Sequence, residues 1–240
     1  MQTPNNPFSE FLASITHEFR TPLSGMKATI ELLQRDAHYL SPAELDELLG
    51  SLHLSVSSLQ TLVDNLLETA KIDSGHFVLR RRTASFNAVL VEALHIMQPL
   101  IDRRDQTLTL SEPFSLPPLL LDPVRMVQVI VNLLSNASAY SPLGESIDLT
   151  VRLENAALWF DIADRGSGIE PEARDYLFQR FVRANSDGQN DGGVGLGLSV
   201  VKAIIEGHGG QIRVESRPGS GSIFSFRLPI ETTELGSTSP

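Results

Sequence analysis

The stretch FLASITHEFRTPLSG, residues 11–25, decides how the first part of the chain is read. From Phe8 onward, apolar residues fall at Phe11, Leu12, Ile15, Phe19, Leu23, Met26, Ile30 and Leu33, mostly in steps of three and four. Such steps return a side chain to one face of an α-helix, so the spacing predicts a long helix with a buried apolar stripe. His17 stands two positions from both Ile15 and Phe19, about 200° around the helix from each, and therefore points away from the stripe. Ser14, Thr21 and Ser24 share its face, which is small, polar and open to an approaching group. Pro22 has no N–H to donate, and a bend is expected there, about one turn beyond the histidine.

A second helix is announced by SPAE, residues 41–44. Ser41 is placed to cap it, Pro42 suits the first helical position, and Glu44 can return to the cap, which together make a capping box. Leu45, Leu48, Leu52, Leu59, Leu62 and Leu66, joined by Leu49, Val56, Val63 and Ala70, sustain three-four spacing to about Ile72. Two such helices enclose little interior of their own. Pairing two copies into a four-helix bundle buries both stripes, so a homodimer through the helical hairpin is expected. The organisation expected is a helical hairpin over 1–75, a linker strand over 76–85, a second domain over 86–231 and a disordered tail over 232–240.

Composition narrows the function without naming it. The 240 residues are 41% apolar and 20% charged, enough to bury real cores. With 29 acidic and 19 basic residues the net charge is -10, which disfavours nucleic acid and anionic membrane as partners. The basic runs at Arg80–Arg82 and Arg103–Arg104 read as solvated element ends. There are no cysteines, so disulfides, thiolate metal sites and a cysteine nucleophile are excluded. No apolar run approaches the roughly 20 residues of a membrane span, and no signal peptide is recognisable.

After Phe86 the pattern alternates. Helices are predicted near 86–102, 123–139, 171–178 and 195–208, with strands near 107–111, 118–121, 146–153, 157–163, 211–216 and 222–229. Strands that follow one another closely imply antiparallel hairpins, hence an α+β layer sandwich rather than a doubly wound parallel sheet.

Three short stretches of this domain can carry chemistry. NLLSNA, residues 132–137, puts Asn132 and Asn136 one turn apart, where neutral amide oxygens suit a magnesium ion shared with phosphates. The competing reading is two polar residues on a wet helix face. DRGSGI, residues 164–169, follows a predicted strand with a carboxylate at its tip and glycines that let backbone approach a ligand, though it also reads as a plain turn. GGVGLGLSVVKAII, residues 192–205, is glycine-rich and opens a helix, a common setting for phosphates. It fits neither the dinucleotide fingerprint nor the P-loop, having no βαβ unit and no Lys followed by Ser or Thr. The S-x-x-K at Ser199–Lys202 lacks companion motifs, and HE at 17–18 lacks a second histidine four residues on, which removes the zinc-protease reading.

Taken in order, HEFRTPL (17–23), NLLSNA, DRGSGI, LFQRFVR (177–183) and GGVGLGL (192–198) resemble the catalytic core of the sensor histidine kinases, bacterial hybrid kinases included. The resemblance spans roughly residues 8–230. It implies a dimeric helical hairpin followed by an α+β sandwich of the Bergerat ATP-binding type, and an ATP- and Mg2+-dependent protein-histidine kinase serving a response-regulator receiver domain. It also implies the cytoplasmic portion of a bacterial inner-membrane sensor. Carried over residue by residue, it makes His17 the phosphoacceptor, Glu18 the group that takes its proton, and Thr21 the residue that orients water when a partner's phospho-aspartate is hydrolysed. Asn132 and Asn136 fall on the family's magnesium positions. Tyr140, Asp164, Gly166, Gly168, Phe178, Phe181, Arg183, Gly193, Gly195, Leu196 and Gly197 fall on its nucleotide-binding positions, with Asp164 at the adenine and residues 182–193 as a lid over triphosphate. Relatives that hydrolyse ATP with water have glutamate where this chain has Asn132, which argues against a simple ATPase. One departure is Ala139, where the family commonly has a phosphate-contacting lysine. Its loss opens a second reading, a kinase-weak regulatory module that pairs with, or dephosphorylates, another histidine kinase.

Overall fold

The structure, a computed structural model, describes residues 7–36, 38–113, 115–179, 195–216 and 219–230, with side chains from Ile15 onward. The candidate lid at 182–193 and the tail at 232–240 lie outside the described residues. The chain divides into two compact units, Met1–Gly75 and His76–Pro240.

The first unit is a hairpin of α1 (Pro7–Asp36) and α2 (Pro42–Asp73). The capping box forms as the sequence expects: the Ser41 hydroxyl accepts from the Glu44 N–H at 3.3 Å, and the Glu44 carboxylate accepts from the Ser41 N–H at 2.8 Å. With Pro42 in the first turn, the start of α2 is fixed by covalent geometry and a reciprocal cap. α1 continues as helix through Pro22 to Asp36.

Within one chain the α1 stripe is only partly covered, as expected of two helices that enclose little interior of their own. Ile15, Phe19, Met26 and Leu33 are half-buried, while Leu23 and Ile30 are 50% and 44% exposed. α2 divides its apolar residues cleanly: Leu45, Leu48, Leu52, Leu59, Leu62 and Leu66 are half-buried, whereas Leu49, Val56, Val63 and Ala70 are exposed. The reason is geometric, since two helices side by side cover only one flank of each other.

The second unit opens with β1 (Arg82–Ala84) and α3 (Phe86–Arg103), followed by β2 (Thr107–Ser111), β3 (Leu119–Leu121), α4 (Pro123–Tyr140), β4 (Ser146–Glu154) and β5 (Ala157–Ala163). One short turn of helix, α5 (Pro171–Arg174), precedes α6 (Gly197–Gly207), β6 (Gln211–Ser216) and β7 (Ser222–Pro229). Five strands pair in the order β2-β4-β5-β7-β6, and β1 pairs with β3 in a small antiparallel ribbon. The hairpins β4–β5 and β6–β7 are antiparallel, but β2 and β4 run parallel, so the sheet is mixed. A parallel pair needs a crossover, which α4 supplies between them.

α4 packs between α3 and α6, and all three helices touch the sheet. The core they enclose centres on Phe86, Phe160 and Phe226, each fully buried, with ring centroids 5.3–6.4 Å apart. Each such ring contributes on the order of 2–3 kcal/mol by leaving water. Residues 76–85 cluster with this unit: the Leu79 side chain lies against Gly207, and the Arg125 guanidinium sits 5.7 Å above the Phe77 ring.

Candidate functional site

On α1, His17 is exposed, with Thr16 and Arg20 also exposed and Glu18 half-buried. The Thr21 hydroxyl donates to the His17 carbonyl at 3.3 Å, so it stays on its own helix, one turn from the imidazole. Along the same helix Ile15, Phe19 and Leu23, with Arg20 and Lys27, line a shallow groove of which His17 is not part.

In the second unit the site is assembled around α4. Asp122 caps that helix, accepting from the Arg125 N–H at 3.2 Å, and Pro123 fills its first position. Met126, Val129, Ile130, Leu133, Leu134 and Ala137 face the core, which fixes the rotation of the helix. That rotation places Asn132 at the inner edge of the polar face, 7% exposed, with a buried side-chain Nδ2 that has no hydrogen-bond partner among the described residues. Asn136 follows one turn later, half-buried, and Ala139 and Tyr140 are half-buried at the helix end.

α6 begins against Asn132. A Cβ added at Gly197 would lie 3.8 Å from the Asn132 Cγ and Oδ1. Among the described residues no side chain caps α6, whose cap residue is the fully buried Leu196, and Gly195 before it has φ +73°. α6 thus starts beside Asn132 with no side-chain cap among the described residues, an arrangement suited to an anion.

Asp164 caps the end of β5 at 5% exposure. One carboxylate oxygen, Oδ1, accepts from the Gly166 N–H at 2.8 Å and the Ser222 N–H at 3.0 Å. Burial pushes the Asp164 carboxyl above its usual range, and those two N–H donors together with the nearby Arg165 oppose the shift. Gly166 is required here, because a Cβ would stand 2.6 Å from the Tyr140 carbonyl oxygen. Gly168 has φ +77°. Phe178 meets Phe224 edge to face at 6.5 Å.

Of the residues that the sequence singles out, Asn132 and Gly197 meet at one point of the second unit, and Tyr140, Asp164 and Gly166 meet at another along the same helix. His17, Glu18 and Thr21 lie in the first unit. Phe181, Arg183 and Gly193 lie outside the described residues. Sequence reasoning missed the partners of Asp164: Ser222 supplies one N–H, and Gly221, at φ +77°, comes so close that a Cβ would collide with the Asp164 carbonyl oxygen. The run GSGS at 219–222 reads as a turn, and nothing in its spacing ties it to a carboxylate on another hairpin. Also missed is His208, buried at the end of α6, whose Nε2 accepts from the Asp122 N–H at 2.9 Å while Nδ1 meets the Ile204 carbonyl at 2.7 Å.

Comparison with known proteins covers both units. Residues 9–75 match the His Kinase A (phospho-acceptor) domain, and residues 121–232 match the histidine kinase-, DNA gyrase B- and HSP90-like ATPase. The sensor protein GacS of Pseudomonas syringae pv. syringae is 36% identical over 230 residues, covering 92% of this chain and 25% of GacS. The alginate biosynthesis sensor protein KinB of Pseudomonas aeruginosa is 32% identical over 222 residues, 92% of this chain and 37% of KinB. The chain thus spans between a quarter and two-fifths of those relatives' length. Among solved structures, full-length ShkA in complex with AMPPNP superposes with a TM-score of 0.64 at 26% identity, over 92% of this chain and 46% of ShkA. No helix among the described residues is long and apolar enough to cross a membrane.

Proposed function

On the premise that this chain belongs to the sensor histidine kinases of two-component systems, we propose that it moves the γ-phosphoryl group of ATP onto His17 for delivery to a receiver-domain aspartate. The observation that carries this reading is Asn132: a buried amide with an unmet donor, set against the glycine that opens an uncapped helix, is a polar site built for a ligand rather than for the core. ShkA, which shares the fold over most of this chain, holds AMPPNP, and that supports a nucleotide as the ligand.

The chemistry follows from the residues. A neutral imidazole is a competent nucleophile near pH 7. A His17 ring nitrogen attacks the γ-phosphorus, the N–P bond forms, the bond to the β–γ bridging oxygen breaks, and ADP leaves with that oxygen. The imidazole proton passes to Glu18. Asp164, held as a hydrogen-bond acceptor by two backbone N–H groups, receives the exocyclic amine of adenine. The first turn of α6 receives phosphate oxygens. No carboxylate stands at Asn132 to activate a water molecule, so phosphoryl transfer is not diverted to hydrolysis there.

Asn132 and Asn136 fit a magnesium ion shared with phosphate oxygens, since their neutral amide oxygens add no charge to an already anionic ligand. When bound, such an ion offsets the charge that gathers on the phosphates.

The exposed Leu49, Val56 and Val63, at seven-residue spacing on α2, with Leu23 and Ile30 seven apart on α1, support a two-fold dimer that closes a four-helix bundle. Glu18 and Thr21 also suit hydrolysis of a receiver's phospho-aspartate. Phosphate release from a phosphorylated receiver is expected to stop in Thr21→Ala. The kinase reading itself is tested by incubation with γ-labelled ATP, which should give acid-labile, base-stable label on the wild-type chain.

A further inference from the structure

The Ser216 hydroxyl, at the end of β6, has three partners in a buried pocket. It accepts from the Ile169 N–H at 2.8 Å, donates to the Gly221 carbonyl at 2.9 Å, and lies 2.8 Å from the Ser222 hydroxyl. A serine has one hydrogen and two lone pairs, and a carbonyl can only accept. The Ser216 hydrogen is therefore committed to Gly221, and Ser222 must donate to Ser216. All three capacities of the Ser216 oxygen are used.

The carbonyl of Gly221 and the N–H of Ser222 belong to the same planar peptide unit. Ser216 holds one end of that plane, and the other end donates to the Asp164 Oδ1 at 3.0 Å. Rotating the plane to lose the first bond also turns the N–H away from the carboxylate. Donation to the carbonyl further polarises the unit and strengthens the bond that its N–H makes. Through Ile169, Ser216 also fixes the loop that carries Gly166, whose N–H is the second donor to the same oxygen.

We infer that Ser216 is a positioning residue for Asp164, acting through the Gly221–Ser222 peptide, and that it sets the preference of the cleft for a 6-amino purine over a 6-oxo purine. The inference rests on reading that cleft as an ATP site. A carboxylate held in one orientation rewards a ligand that donates an amine hydrogen and rejects one that presents a carbonyl oxygen, whereas a carboxylate free to swing discriminates less.

Affinities of the full chain for ATP and for inosine triphosphate, measured by calorimetry with magnesium present, test this. Ser216→Ala is expected to lower the ATP-over-inosine-triphosphate preference by about tenfold, the scale of one misplaced hydrogen bond. Affinity for inosine triphosphate should stay within about twofold, and Ser216→Thr, which keeps the hydroxyl, should restore the preference. Ser216→Cys, nearly the same size but a poor donor, should fall between and serves if the alanine variant does not fold. An unchanged preference in Ser216→Ala and Ser216→Cys, or an equal loss for both nucleotides, overturns the positioning role while leaving the ATP reading intact. A wild-type chain that binds neither nucleotide overturns both.

Discussion

His17 and Asp164, the two proposed poles of the reaction, have opposite surroundings. The imidazole stands in solvent on a helix face of small polar groups, while the carboxylate is buried and held at one oxygen by two N–H donors. Gly166 makes the second arrangement possible, so Gly166→Ala should force the loop away from the Tyr140 carbonyl. A cost of about 1–3 kcal/mol in thermal unfolding is expected, together with weakened ATP binding. Unaltered unfolding would mean that the loop has room that the 2.6 Å approach denies it. Ala139 offers the reverse experiment. A lysine there, near the end of α4, should strengthen ATP binding by about 1 kcal/mol or more, roughly fivefold or better in calorimetry. No gain in Ala139→Lys would place the phosphates away from that end of the helix.

Helix ends join the elements of the second unit. His208, where α6 stops, accepts the N–H of Asp122, where α4 starts, and Asp122 also accepts the Arg80 N–H at 2.8 Å. An Nε2 that accepts cannot carry a proton, so His208 is neutral with its hydrogen on Nδ1. Burial lowers its pKa, only partly opposed by the Ile204 carbonyl and Asp122. A histidine whose folded pKa lies below its unfolded value of about 6.5 binds more protons when unfolded, so stability rises with pH through that range. Its contribution should be complete above about pH 7 and fall away as pH drops below about 6.5. The melting temperature of the chain should therefore decline between pH 7 and pH 5.5, and the decline should be smaller in His208→Gln; equal slopes would remove His208 from the account. Such joints explain what was legible in the sequence. The start of α2 was, because its cap is local: Ser41, Pro42 and Glu44 are neighbours. α6 starts two residues beyond the point that periodicity predicts, because the positive φ of Gly195 prolongs the loop. Both strands of the β1–β3 ribbon fall within predicted extended runs, at 76–85 and 118–121, but their pairing, like the parallel β2–β4 pairing that depends on a crossover, is something local pattern does not record. In the same way Asp164 could be read from its place at a strand tip, but Ser222, Gly221 and Ser216 could not.

For the whole chain, the proposed function divides between two units: the helical hairpin would present the nucleophile and the α+β sandwich the nucleotide cleft. The hairpin leaves Leu49, Val56 and Val63 exposed, and a second copy is the proposed cover. Val56→Glu occurs twice in a two-fold dimer and should cost about 3 kcal/mol or more, weakening association by about a hundredfold, as sedimentation velocity would show. A variant that sediments like the wild type would put the interface elsewhere. The most direct test of the central claim remains the fate of the phosphoryl group. With γ-labelled ATP and magnesium, the wild-type chain should acquire label that withstands base and is lost in acid, and His17→Gln should acquire none. Label retained at the wild-type level in His17→Gln would contradict the account.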